Sequence, residues 1–142
     1  MTIALGSDHA GFERKEALKT WLESQGYAVQ DFGTHSDASV DYPDFAHPLA
    51  AAVAVGTPAL GILLCGSANG VCITANKHAG VRAALAWLPE IAALGRQHND
   101  ANVVCIPARY VTDAEAAAIA GAFLGAAFEG GRHQKRVAKM EC

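Results

Sequence analysis

The chain has 142 residues and a net charge of −3, with 51% hydrophobic but only 7% aromatic residues. That length suits one domain with a core of its own. The mild acidity and the lack of a long basic run argue against a nucleic-acid partner, and no apolar segment approaches the roughly 20 residues of a membrane span.

Strand-like runs alternate with helical patterns along the whole chain. Met1–Gly6 enters a strand over Thr2–Gly6 with no basic segment or cleavage site, which predicts a cytoplasmic chain without a signal peptide. Gly11–Ser24 is helical: Leu18, Trp21 and Leu22 recur at i, i+3 and i+4, and Gly26 is a stop. Tyr27–Phe32 is a short strand and Pro43–Val55 an Ala-rich helix. Pro48 falls inside that helix and removes a hydrogen bond, so the helix either starts near Pro48 or kinks there. Ala59–Leu64 is unbroken apolar sequence, the mark of a buried parallel strand. A helix over Ala68–Lys77, a strand over Val81–Ala86 and a helix over Pro89–Gln97, with Pro at its first position, come next. Val103–Pro107 is the fifth strand. Thr112–Phe128 is a long helix with Thr112 as N-cap and Glu115 completing a capping box. The basic tail, about 130–141, is also helical. This alternation predicts an α/β fold over residues 1–142: a single-domain, Rossmann-like, doubly wound sheet of five parallel strands with helices on both faces.

The stretch Cys65-Gly66-Ser67-Ala68-Asn69-Gly70 carries the strongest chemical signal. It puts a thiol at the carboxyl end of the central strand, where open α/β sheets bind ligands, followed by small residues and backbone N–H groups suited to an anion. Asp8-His9-Ala10-Gly11 follows the first strand at the same edge, and such a pair can move protons among sugar hydroxyls. A Cys before such a loop would suit a tyrosine phosphatase, but Val71 stands where that chemistry needs Arg. Arg96–Asn102 joins an imidazole, His98, to amides and a carboxylate. It serves equally well as a helix end with an Asx turn. Arg132 and Arg136, at i and i+4, put two guanidiniums on one helical face, which suits a phosphate dianion, although such a run is more often a solvated tail. Arg109 is a possible third cation. Asp41, Asp44 and His47 are better explained as caps and surface groups than as metal ligands. Cys72 and Cys105 read as core thiols and Cys142 as a frayed end. With no CxxC pair, the thiols are expected to be reduced.

Taken together these segments resemble the type B ribose-5-phosphate isomerases, a family that includes galactose-6-phosphate isomerase subunits and allose-phosphate isomerases. The match is carried by Gly6–Gly11, Asp41–Asp44, Cys65–Gly70, Ala75–Lys77, Gly80–Ala83, Arg96–Asn102 and Glu129–His133, in order across nearly the full chain. The resemblance implies interconversion of D-ribose 5-phosphate and D-ribulose 5-phosphate in the pentose phosphate pathway, without metal or organic cofactor. It also implies a homodimer or a dimer of dimers whose sites are shared between subunits, with the C-terminal helix reaching a neighbour. Cys65 then matches the base. Ser67 and the backbone of Gly66, Ala68, Asn69 and Gly70 match the enediolate cradle. His98, assisted by Asp8, matches the ring-opening group, Asn99 a ligand of the reacting end, and Tyr42 a lining position. His9, Arg109, Arg132 and Arg136 match the phosphate contacts. Some relatives carry Gly at position 68, and some carry a Glu base at position 71, where Val71 leaves the role to Cys65. A free thiol titrates near 8.5, roughly, so the helix N-terminus and loop amides are expected to favour its thiolate.

Overall fold

The computed structural model describes residues 1–141; Cys142 and its expected frayed end lie outside them. Five strands, β1 (Thr2–Ser7), β2 (Ala28–Asp31), β3 (Leu60–Cys65), β4 (Ala83–Leu85) and β5 (Val103–Pro107), form one sheet in the order β2-β1-β3-β5-β4. Every neighbouring pair is parallel. β3 and β5 are central and buried at every residue, which is why their sequences are continuously apolar rather than alternating.

Helices α1 (Phe12–Ser24), α4 (Pro89–Asn99) and α5 (Asp113–Gly125) cover one face, where Leu18, Leu22, Ala92, Ile119, Ala120 and Phe123 pack on Ile3, Leu5, Ile62 and Ile106. Helices α2 (Pro43–Ala54) and α3 (Asn69–Ala75) cover the other, with Leu49, Val53, Val71 and Ala75 against Leu63 and Cys105. Two faces covered by short connections is the doubly wound solution the alternating sequence predicts. Because α1 after β1 and α3 after β3 lie on opposite faces and lead to opposite sides of the sheet, its topological switch falls between β1 and β3.

Several boundaries differ from the sequence expectations. The second helix begins at Pro43, not near Pro48, and runs through Pro48. Pro43 sits in the first turn, where its missing N–H costs nothing, and the second proline is the sixth residue of a helix held by buried Ala46, Leu49 and Ala50. The long helix keeps its capping box, with the Glu115 amide 3.1 Å from Thr112 Oγ1 and the Thr112 amide 3.0 Å from Glu115 Oε1. It ends at Gly125 rather than Phe128, because Ala126 turns extended. The tail is not one helix over 130–141. It is a 3-10 turn, Gly131–His133, followed by α6, Gln134–Ala138. Gly130 and Gly131 both adopt positive φ (66° and 53°), which no continuous right-handed helix allows. No helix among the described residues is long and apolar enough to cross a membrane.

Candidate active site

The β1/β3 switch gathers the loops after β1 and β3 at the carboxyl edge of the sheet, the place where open α/β sheets bind ligands. The loop after β1 is anchored by the Asp8 amide, which donates to the Leu64 carbonyl at 3.3 Å, and by Asp8 Oδ1, which accepts from the Gly11 amide at 3.0 Å. Gly11 is required here: a Cβ would stand 2.8 Å from the Leu64 carbonyl oxygen. His9 Nδ1 lies 3.1 Å from the amide and 3.2 Å from the carbonyl oxygen of Val40, which fixes the ring over the loop leading to α2. Tyr42 starts α2, and its ring lies against Gly70, where a Cβ would collide with it.

Cys65 is the last residue of β3 and is only 5% exposed. Ala68 turns the chain into α3 at φ 65°, a left-handed conformation in which the glycine of some relatives is the less strained choice. Ser67 is exposed, and its Oγ accepts from the Asn69 side-chain amide at 3.1 Å. The Arg109 amide donates to the Gly66 carbonyl at 3.1 Å, and the Arg109 guanidinium lies against Gly66. A cavity of about 230 Å³ opens beside Arg109 and Arg14. Burial pushes the Cys65 thiol up. The amides of Val71, Ala68 and Gly70 pull it down, but the Asp8 carboxylate adds to the rise and the net direction is upward. The expected thiolate stabilisation is therefore present but outweighed in the isolated chain.

The other predicted residues gather at the opposite edge. His98 and Asn99 end α4, and the chain then reaches Asn102, whose carbonyl accepts from the Gly61 amide near the start of β3. Four residues of strand, on the order of 13 Å, separate Gly61 from Cys65. The exposed Asn99 borders a second cavity, about 560 Å³, with Lys77, His78 and Arg82. The Glu129 amide donates to the Gln97 carbonyl at 3.0 Å and ties the C-terminal segment to the end of α4. The His98 and His133 rings stack with centroids 4.2 Å apart, while Arg132 and Arg136 are exposed on the same segment. One chain thus carries two separate clusters: Asp8, His9, Tyr42, Cys65, Ser67 and Arg109 at one edge, and His98, Asn99, Arg132 and Arg136 at the other.

A protein-family model described as Ribose/Galactose Isomerase matches residues 3–140. The chain belongs to that family. It is 48% identical over 139 residues to a probable ribose-5-phosphate isomerase B of Mycoplasma pneumoniae, covering 97% of this chain and 91% of that protein. It is 47% identical over 135 residues to the ribose-5-phosphate isomerase B of Escherichia coli, covering 95% and 91%. Its fold superposes on a ribose 5-phosphate isomerase of Thermotoga maritima with a TM-score of 0.96 at 44% identity, covering 99% and 97% of the two chains. The ribose-5-phosphate isomerase B of Mycoplasma genitalium, solved with bound ribulose 5-phosphate, gives 0.93 at 46% identity, covering 98% and 93%.

Three features of this Ribose/Galactose Isomerase chain escape the sequence reading. Glu129 and His133 join His98, and only their i, i+4 spacing hints at it. Burial first, then the neighbouring His98 ring and Arg132, push His133 below the ordinary imidazole value, against the opposing pull of Glu129. Lys15 is fully buried and bonds both Asp31 oxygens, at 2.9 and 2.7 Å. Asp31 Oδ1 also accepts from the Gly33 amide at 2.9 Å, and the Ser7 amide donates to the Gly33 carbonyl at 2.7 Å, so this pair braces the end of β1 just before Asp8. His47 meets His78, Nδ1 to Nε2, at 2.7 Å.

Proposed function

We propose that the protein is an aldose–ketose isomerase that interconverts D-ribose 5-phosphate and D-ribulose 5-phosphate, and that it works as a homodimer, or a dimer of dimers, with shared sites. The observation that carries this reading is the Cys65 loop at the β1/β3 switch. It offers a single thiol beside backbone amides in a crevice flanked by His9 and Arg109. The named relatives and the ribulose-5-phosphate-bound neighbour supply the substrate.

The chemistry follows from these groups. Cys65, as thiolate, takes the proton from C2 of the open-chain aldose; the C–H pair becomes the enediolate double bond and the charge moves to O1. The amides of the Cys65–Gly70 loop and the Ser67 hydroxyl hold the developing oxyanion. The O2 proton passes to O1, which shifts the charge to O2, and the thiol then returns its proton to C1 as the O2 lone pair closes the C2 carbonyl of the ketose. Base and oxyanion donors are all side chains and backbone, so the step calls on no cofactor. Ring opening must move a proton from O1 to the ring oxygen. That is work for an imidazole such as His98 with Asp8 beside it.

His98 cannot reach the Cys65 crevice of its own chain across the height of the sheet, so a second copy must supply it. The same copy brings Asn99, Arg132 and Arg136, whose guanidiniums complete the phosphate contacts begun by His9 and Arg109. Binding energy at the phosphate then positions the sugar over the thiol. A cytoplasmic place in the pentose phosphate pathway fits this chemistry. The test is conversion of ribose 5-phosphate to the ketose by purified protein in EDTA, with allose 6-phosphate and galactose 6-phosphate offered in parallel. No conversion of ribose 5-phosphate would refute the assignment, and faster conversion of a six-carbon substrate would move it to a related sugar phosphate.

A further inference from the structure

We propose that His98, Glu129 and His133 form a binding site for a divalent transition-metal ion, zinc above all, whose occupancy blocks one half of the catalytic centre. These are the one group of three metal-capable side chains among the described residues whose donor atoms all lie within 4.8 Å of one another. Glu129 Oε1 stands 3.8 Å from His98 Nε2 and 3.7 Å from His133 Nε2. Those gaps are too long for hydrogen bonds. They are close to the edge of a zinc coordination tetrahedron, about 3.4 Å for bonds of about 2.1 Å, so the carboxylate is already near ligand distance of both rings.

The backbone holds the three donors in place. His98 lies in the last turn of α4, and Glu129 is tied to that turn by its amide bond to Gln97. His133 follows in the 3-10 turn, its amide donating to the Gly130 carbonyl at 2.9 Å. The two rings are stacked, 14° from parallel with centroids 4.2 Å apart, so the exposed His98 ring must rotate out of the stack to turn its Nε2 lone pair toward an ion held by His133 and Glu129. The His98 and Glu129 side chains are 38% and 53% exposed, which leaves further coordination positions to water, as in an exchangeable site. Two imidazoles and a carboxylate suit zinc better than magnesium or calcium. The binding claim stands on this geometry alone. The inhibition claim rests on the isomerase reading, in which His98 must be free to move a proton.

Metal-stripped full-length protein is titrated with zinc sulfate by calorimetry, and with cobalt(II) to follow the absorption bands of a histidine-ligated ion. Wild type is expected to take up one ion per chain. Glu129→Gln and His133→Gln should each weaken binding by about tenfold or more, whereas His47→Gln, in the other histidine pair, and Cys65→Ala should leave it unchanged. Circular dichroism checks that the Gln variants fold; Glu129 is exposed, so its isosteric replacement is the safer of the two. Unchanged binding in both Gln variants, loss of binding in Cys65→Ala, or wild-type affinity weaker than about 1 mM would each overturn the site. Turnover should fall with zinc occupancy and recover with EDTA; full activity at saturating zinc would overturn the inhibitory role. Turnover in EDTA is read separately, so an inactive protein that still binds zinc through Glu129 and His133 refutes the isomerase reading and not the site.

Discussion

Cys65 and His98 stand at opposite edges of the same sheet: Cys65 closes β3, while His98 ends the helix that brings the chain back to the start of β5. On the proposed isomerase reading, which needs both groups in one reaction, a single chain does not bring them together. A two-fold dimer that seats the His98 edge of one copy on the Cys65 edge of the other produces two complete sites at once.

Subunit complementation tests this directly. A Cys65→Ala chain and an Arg132→Ala/Arg136→Ala chain should each be nearly inactive. Mixed in equal amounts and allowed to exchange, half the dimers become hybrids, each with one doubly defective and one intact site. Activity should return to roughly a quarter of wild type. If mass analysis shows hybrids and activity remains that of the parents, the shared-site arrangement is wrong.

Loss of the thiol alone should spare the fold. Cys65 packs at a strand end, and Ala retains most of its volume. Turnover of ribose 5-phosphate by Cys65→Ala should drop by at least about a hundredfold, the low end of general acid–base contributions. Near-normal turnover with a native circular dichroism spectrum would remove Cys65 from the base role.

The upward shift of the Cys65 thiol has a kinetic signature. Burial first, then the Asp8 carboxylate, favour its protonated form over the pull of the loop amides. The base form is therefore a minority at neutral pH, and kcat/KM should climb from pH 7 to beyond pH 9. Site-resolved alkylation of Cys65 by iodoacetamide should speed up over the same range, and ribulose 5-phosphate should protect. A plateau below pH 8 in both measurements would contradict the shift.

The Lys15–Asp31 pair should dominate the acid sensitivity of the fold. Burial by itself would raise the Asp31 carboxyl, but Lys15, the Gly33 amide and Lys19 outweigh it and hold it below the usual carboxylate range. A depressed folded value means the stabilisation is present above the unfolded value, about 3.9, and is lost as pH falls through the lower folded value. Asp31→Asn would leave the buried Lys15 with only the part-exposed Glu16 carboxylate, 3.0 Å away, and should cost about 3 kcal/mol in denaturant unfolding at pH 7. Its stability should also depend less on pH below about 4 than that of wild type. A cost under about 1 kcal/mol would show that the ammonium is solvated in solution.

Much of this protein was legible from residues alone because local rules and global architecture agree. The continuous apolar run Ala59–Leu64 reads as a buried parallel strand, and the strand forms over Leu60–Cys65. Thr112 and Glu115 announce a helix start. Cys65-Gly66-Ser67 marks the ligand edge of such a sheet. What the sequence could not determine depends on long-range placement. That Gly130 and Gly131 both turn to positive φ, splitting the tail, follows from docking Glu129 on Gln97. The balance at Cys65 was read too favourably because the loop amides are implied by sequence, whereas the depth of burial and the approach of Asp8 are not. A lysine in an amphipathic helix gives no sign that it will be sealed in with Asp31. Above all, the motif order lists Cys65 and His98 as members of one site, and only the path of α4 back to the amino edge of β5 separates them, because a helix connecting parallel strands must return the chain across the full height of the sheet.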